Sequence, residues 1–212
     1  MVAVEPMGLG GPPRIAMTDE EWENLPEDEE GELVDGVLVE EEVADWIHEA
    51  VVLWLATALR LWAKPRGGYV AGSEVKYILR PGRGRKPDLS MILPGQKRPP
   101  PRGALRKPAG VLVEVISPSP RDVRRDRIEK LGEYAAFGVR YYWIVDPTMR
   151  TFEIYELDGR GSYTQALIAS KGKLESIPGC DGLVLDLDEV WAELDELGEG
   201  EEEAGDKNPA QT

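Results

Sequence analysis

The segment VLVEVIS, residues 111–117, limits this chain more than any other part of it. Both of its alternating faces are apolar except at Glu114, so it reads as a central strand covered on both sides. A carboxylate in such a strand is costly unless it is paired or bound to a metal, which marks Glu114 as a residue with a task beyond packing. Ser119, Pro120 and Asp122 follow as a cap, a first-turn proline and an early acid, the pattern of a helix start. That helix should run to about Phe137 with Ile128, Leu131, Ala135 and Tyr134 inward. VRYYWIVDP comes next as a second buried strand, so the crossover helix makes it the parallel neighbour of the Glu114 strand.

Asp88, at the start of the strand-like DLSMILP, supplies a second carboxylate beside apolar sequence, and Lys130 supplies a cation on the helix. Two hard oxygen donors and one positive charge suit a divalent metal that cuts a phosphodiester: the metal takes the carboxylates, and the developing negative charge needs a partner. Asp126, Lys130 and Tyr134 lie four apart and share a helix face. The competing structural reading makes Asp126 and Lys130 an ordinary surface pair, worth a few tenths of a kcal/mol.

Around this segment the chain divides into one domain with tails. Residues 1–16 are a Gly/Pro-rich leader, residues 17–197 the folded domain, and residues 198–212 an acidic, Glu/Gly-rich tail expected to be disordered. Within the domain a helix starts at Thr18 with Glu21 as its capping-box partner. Asp35-Gly36 between alternating runs predicts a tight hairpin. Residues 44–64 place Ile47, Val51, Trp54, Leu55, Ala58, Leu61 and Trp62 at helical spacing, predicting an amphipathic helix with a buried aromatic stripe. YVAGSEVKYILR has strand character and breaks at PGRGRKP. The proline-rich loop at residues 94–108 carries five basic residues and no acid, and loops of this length are functional or mobile. TFEIYEL forms a hairpin with YYWIV, SYTQALIAS adds a strand, and LDLDEVWAELDEL is a closing helix.

Composition narrows the chemistry. A single cysteine, Cys180, excludes an internal disulfide framework and cysteine-based zinc sites, and the single histidine, His48, removes multi-histidine centres. No apolar run reaches the roughly 20 residues of a bilayer span, and the first residues lack the pattern of a secretory signal, so a cytoplasmic protein is expected. The net charge of −15 is segregated: residues 18–49 hold 15 Asp or Glu and no Lys or Arg, whereas residues 60–130 hold 18 Lys or Arg against 6 Asp or Glu. A central segment presented on one face could meet phosphates; the same arginines in Pro/Gly-rich loops could equally be solvated charge.

The ordered series ELVDG, a histidine entering a helix, KPDLSMI, VEVISPSP, DRIEKLGEYAAFGVRYYWIVDP and IPGCDGLVLDLDEVW resembles the bacterial Uma-two family of endonucleases, placed in the restriction-endonuclease-like PD-(D/E)xK superfamily. The resemblance extends from about Met17 to Trp191. It implies an α/β fold with a restriction-endonuclease-like mixed central sheet flanked by helices, an N-terminal hairpin and additional C-terminal strands. It also implies Asp88 and Glu114, with the main-chain carbonyl of Val115, as ligands for Mg²⁺ or Mn²⁺, Lys130 as catalytic lysine, and Glu32 as an additional acid. His48 and Asp126 match positions with supporting roles. The superfamily's usual lysine lies two residues after the second acid; that position is Ile116 here, and the helical Lys130 takes its place.

The expectation is a metal-dependent endonuclease acting on nucleic acid, DNA first, with a homodimer plausible for a double-strand cutter. The alternatives are a nucleic-acid-binding module without catalysis, or a regulatory interaction protein on the same fold.

Overall fold

The computed structural model describes residues 16–26, 31–39, 44–119 and 123–205, with side chains to residue 197. The expected leader at positions 1–15, the helix-start residues Pro120 and Asp122, and the last seven positions lie outside the described residues.

The apolar strands assemble into a six-stranded sheet in the order β10-β9-β8-β7-β6-β3. Its members are β3 (Tyr69–Ala71), β6 (Leu89–Ile92), β7 (Val111–Val115), β8 (Tyr141–Asp146), β9 (Thr151–Leu157) and β10 (Tyr163–Ala169). β7 and β8 pair in parallel, Glu114 opposite Ile144, while the other neighbours are antiparallel. All five residues of β7 are buried, as its two-sided apolarity requires. Its odd positions, Val111, Val113 and Val115, enter the larger core with α2 (Trp46–Ala63) and α4 (Leu187–Gly205). On the other side Leu112 and, just past the strand end, Ile116 enter a second core under α3, residues 125–137. Glu114 therefore faces α3.

A smaller sheet, in the order β2-β1-β5-β4, sits beside the first. It contains β1 (Glu32–Val34), β2 (Val37–Val39), β4 (Tyr77–Arg80) and β5 (Arg83–Arg85). The β1–β2 hairpin turns at Asp35 and Gly36, both at positive φ, the geometry that an Asp-Gly pair favours. α1 (Asp19–Glu23) begins at Thr18 with the reciprocal Glu21 capping box. It seats Trp22 against Gly84, where a side chain of any size would collide with the indole. A short β11 (Lys173–Leu174) pairs with β12 (Leu185–Asp186) before α4.

Four local expectations differ from the structure. YVAGSEVKYILR is two strands in different sheets, and the RGR expected as a break is β5 itself, hydrogen-bonded to both β1 and β4. α2 begins at Trp46 under an Asp45 cap and buries Val51, Leu55, Leu59 and Trp62, while Leu61 is 72% exposed and Trp54 only half-buried. α3 is wound as a π-helix over Arg125–Lys130 and continues as α-helix over Leu131–Phe137. Its buried face is Asp126, Lys130 and Tyr134, and Ile128 points outward at 64% exposure. Apolarity fails as a guide here because the buried carboxylate of β7 requires polar partners, and the helix turns its charged face to supply them. α4 continues in helical form past the Gly198 boundary read from composition, to Gly205.

Candidate active site

The two sheets meet where the ends of β1, β5, β6 and β7 converge under α3, and the singled-out side chains collect there. Lys130 Nζ lies 2.8 Å from Glu114 Oε2, 3.2 Å from Asp126 Oδ1 and 3.5 Å from Glu32 Oε1. Lys130, Glu114, Glu32 and Asp126 are each 2% exposed. The surface-pair reading of Asp126 and Lys130 is thereby overturned. A wider π-turn at this point, a feature often found at functional sites, lies where Asp126 and Lys130 are presented together.

Each group is oriented by a second contact. Tyr134, one turn beyond Lys130, donates its hydroxyl to Glu114 Oε1 at 2.7 Å. Arg85, from the strand that sequence patterning did not mark, pairs with Glu32 and reaches Glu133 on α3 at 2.7 and 3.0 Å. The Lys86 amide adds a bond to Glu32 at 3.2 Å. Arg85 thus fastens the small sheet to α3 through two carboxylates, and an alternating Arg-Gly-Arg was the only sequence signal that could have marked it as strand.

Asp88 stands at the start of β6. Its Oδ2 accepts the Val115 N–H at 2.7 Å and lies 3.3 Å from His48 Nε2. Ile116 N–H bonds to Val145 on the β8 side, so strand alternation turns both the N–H and the C=O of Val115 toward Asp88. His48 is positioned by the first turn of α2, where its amide caps on Asp45 at 2.8 Å. Asp88 does not touch Lys130 directly; it reaches the cluster through the strand that bears Glu114.

The electrostatics are uneven. Burial pushes Glu114 well above the ordinary carboxylate range, and Asp126, Asp88 and Glu32 push it further against the pull of Lys130. Burial would also raise Glu32, but Lys130 and Arg85 overcome it and hold that carboxyl at about 2. Burial opposes the charge of Lys130, yet Asp126, Glu114 and Glu32 keep its amine well above its usual value. For His48, burial acts downward and the carboxylates of Asp88 and Glu49 prevail, raising it. Four carboxyl groups therefore crowd around few cations, and Glu114 is the one that bears the strain.

That excess is what an added cation would relieve. The donors are hard oxygens, and the Val115 carbonyl faces the Asp88 side, so the residues fit a divalent ion of the Mg²⁺ class. Among the described residues no group of three or more His, Cys, Asp or Glu could hold a metal alone, so two carboxylates, a carbonyl and water would have to share the task. Among the same residues no helix is long and apolar enough to cross a membrane.

A family model described as "Putative restriction endonuclease", Uma2, matches residues 19–188. Among solved structures, "a putative nuclease belonging to DUF820" from Anabaena variabilis is similar to this chain with a TM-score of 0.66 and 16% identity, over 83% of this chain and 98% of that one. The likeness shows a restriction-endonuclease-like fold. No curated protein matches the chain.

Proposed function

This chain belongs to the Uma2 family of restriction-endonuclease type, and on that premise we propose that it is a metal-dependent endonuclease hydrolysing phosphodiester bonds of nucleic acid, DNA foremost. The observation that supports this most is the buried ammonium of Lys130, held 2.8 Å from Glu114 beside a carboxylate-rich cluster. Buried lysine and carboxylates placed this close are costly to keep for stability alone.

In this reading Asp88, Glu114 and the Val115 carbonyl hold Mg²⁺ or Mn²⁺. The ion, when bound, supplies Lewis acidity toward a phosphoryl oxygen and a water made more acidic. The chain's own groups do the rest. Tyr134 fixes the Glu114 carboxylate through its hydroxyl. Glu32, locked by Arg85, and Asp126 anchor the Lys130 stem end so that its charge stays where negative charge grows on the phosphate. His48 holds Asp88 in place from α2.

The central basic segment serves mainly internal contacts. Arg83 pairs with Asp35 and Glu133, Arg127 with Asp146 and Glu153, and Arg106 with Glu23. Lys97, Arg98, Arg102 and Lys107 of the proline-rich loop remain exposed and form no ion pair among the described residues. They are the surface proposed to meet the nucleic-acid backbone. A cytoplasmic place of action belongs to the same proposal, and the buried free thiol of Cys180 suits a reducing compartment.

The experiment is cleavage of plasmid and single-stranded substrates with Mg²⁺ or Mn²⁺, comparing wild type with Lys130→Ala. Metal-dependent cleavage that disappears in the variant supports the proposal; no cleavage by wild type with either ion, or equal cleavage by both proteins, removes it. A second reading, a nucleic-acid-binding or regulatory protein that does not cut, draws on the near-complete burial of Lys130 and Glu114. It requires binding that depends on the loop cations and ignores Asp88 and Glu114.

A further inference from the structure

The outer face of α2 carries a stripe that the fold leaves uncovered. Trp46 is 75% exposed, Leu53 69% and Leu61 72%. With Ala50 and Thr57 between them they recur at steps of four, three, four and four residues, the spacing of a helix-packing seam. The opposite face, Val51, Leu55, Leu59 and Trp62, already fills the larger core. The stripe borders a groove of about 690 Å³ that also takes in Trp54 and, from α4, Glu189 and Glu193. Large apolar side chains aligned along a helix and rimmed by charge mark an association surface.

We propose that this face is the interface of a two-fold homodimer in which α2 packs antiparallel on α2 of a second copy. Charge on one flank of the stripe favours a second copy. On a helix of about 3.6 residues per turn, Glu49 and Arg60 fall on the same flank of the stripe, near its two ends. A two-fold between antiparallel helices brings like flanks together and ends into opposition, so Glu49 of each copy meets Arg60 of the other, twice per dimer. Arg60 is exposed and forms no ion pair among the described residues, and Glu49 has only a loose contact with its neighbour His48, at 3.5 Å. The small residues Ala50 and Thr57 leave gaps between Trp46, Leu53 and Leu61, into which the partner's large side chains can enter. A parallel two-fold would instead carry the two flanks to opposite sides of the seam, where neither Glu49 nor Arg60 meets the other.

The inference does not depend on the nuclease reading, because oligomeric state is measured without cleavage. Sedimentation equilibrium of the full chain should show a monomer–dimer equilibrium, and Leu53→Glu should be monomeric at the same concentration with unchanged circular dichroism. Glu49→Arg and Arg60→Glu should each weaken the dimer by about tenfold, and the doubly reversed protein should regain most of that affinity. A wild-type chain that stays monomeric to about 100 µM, a dimer indifferent to Leu53→Glu, or a double reversal that fails to restore the affinity removed by the single changes would each overturn the proposal.

Discussion

Replacing Lys130 with methionine tests the site as a physical object, independently of any substrate. The methionine preserves most of the stem volume and removes a charge that lies within 3.5 Å of three carboxylates at 2% exposure. Taking one partner from a buried ionic cluster costs about 3–5 kcal/mol. Glu32 keeps Arg85, and Glu114, already raised well above its ordinary range, can take up a proton, so the loss should fall at the low end, about 3 kcal/mol near pH 8. For a domain of this size that is a fall in Tm of about 6–12 °C. The pH dependence has a definite sign. A carboxyl whose folded pKa lies above its unfolded value contributes stability that is fully present below the unfolded pKa and is lost as pH rises through the folded one. Without Lys130, Glu114 rises further, so the penalty should shrink as pH falls wherever the variant's native state holds this proton and that of wild type does not, by at most about 1.4 kcal/mol per unit; pH 8 and pH 5 are the two points of measurement. Urea denaturation followed by tryptophan fluorescence, at both pH values and without divalent ions, reads this directly. A loss below about 1 kcal/mol that is the same at both pH values would mean that the amine is not buried among these acids, and the argument for the cluster would fail with it.

Asp88→Asn retains an oxygen for the Val115 N–H, so its stability should stay within about 1 kcal/mol of wild type while metal-dependent cleavage, measured on supercoiled plasmid, disappears. Reversing Lys97, Arg102 and Lys107 to Glu should leave folding intact, weaken nucleic-acid binding and lower the slope of log affinity against log salt by about 0.9 for each phosphate that is no longer neutralised. Gly84→Ala forces a methyl into the Trp22 ring and should cost about 1–3 kcal/mol, seen as a lower midpoint in urea. Glu32 is held at about 2, down from 4.5; a depressed carboxyl gives stability that is present above its unfolded pKa and lost as pH falls through the folded one. Glu32→Gln should therefore flatten the acid limb of the stability profile between about pH 4.5 and 2, by up to about 3 kcal/mol.

The sequence carried the central part of the fold because two-sided burial leaves a plain mark. VLVEVIS and YYWIV are apolar on both faces, and the helix between them admits only the parallel pairing now seen. Asp88, Glu114, Lys130, Glu32, Asp126 and His48 fall into one connected network, and the anomaly that drew attention to Glu114, a charge in a covered strand, is resolved by Lys130 and Tyr134. The failures have equally physical causes. Arg83–Arg85 reads as a break because glycine and proline surround it, whereas its arginines are made tolerable in a strand by Asp35, Glu32 and Glu133, all distant in sequence. Hydrophobicity places Ile128 inward, and it cannot foresee that the facing strand offers a carboxylate. The local excess of basic residues suggests a positive face, but ion pairs formed only on folding consume much of it. The exposed stripe on α2 is invisible in the sequence because periodicity reports that a helix has apolar residues on two sides without saying which side the domain uses.

The joint between the two sheets, bridged by Glu32 on β1 and Lys130 on α3, makes the buried cluster a property of the finished molecule. Neither sheet owns it: one contributes the anchor for the ammonium and the other the carboxylate that the ammonium meets. A nascent chain that has produced β1, β5, β6 and β7 but not yet α3 has Glu32 held by Arg85 and no ammonium to join it to Glu114, and a chain that loses β1 loses the anchor. Whatever chemistry the cluster supports therefore waits until synthesis and docking are complete.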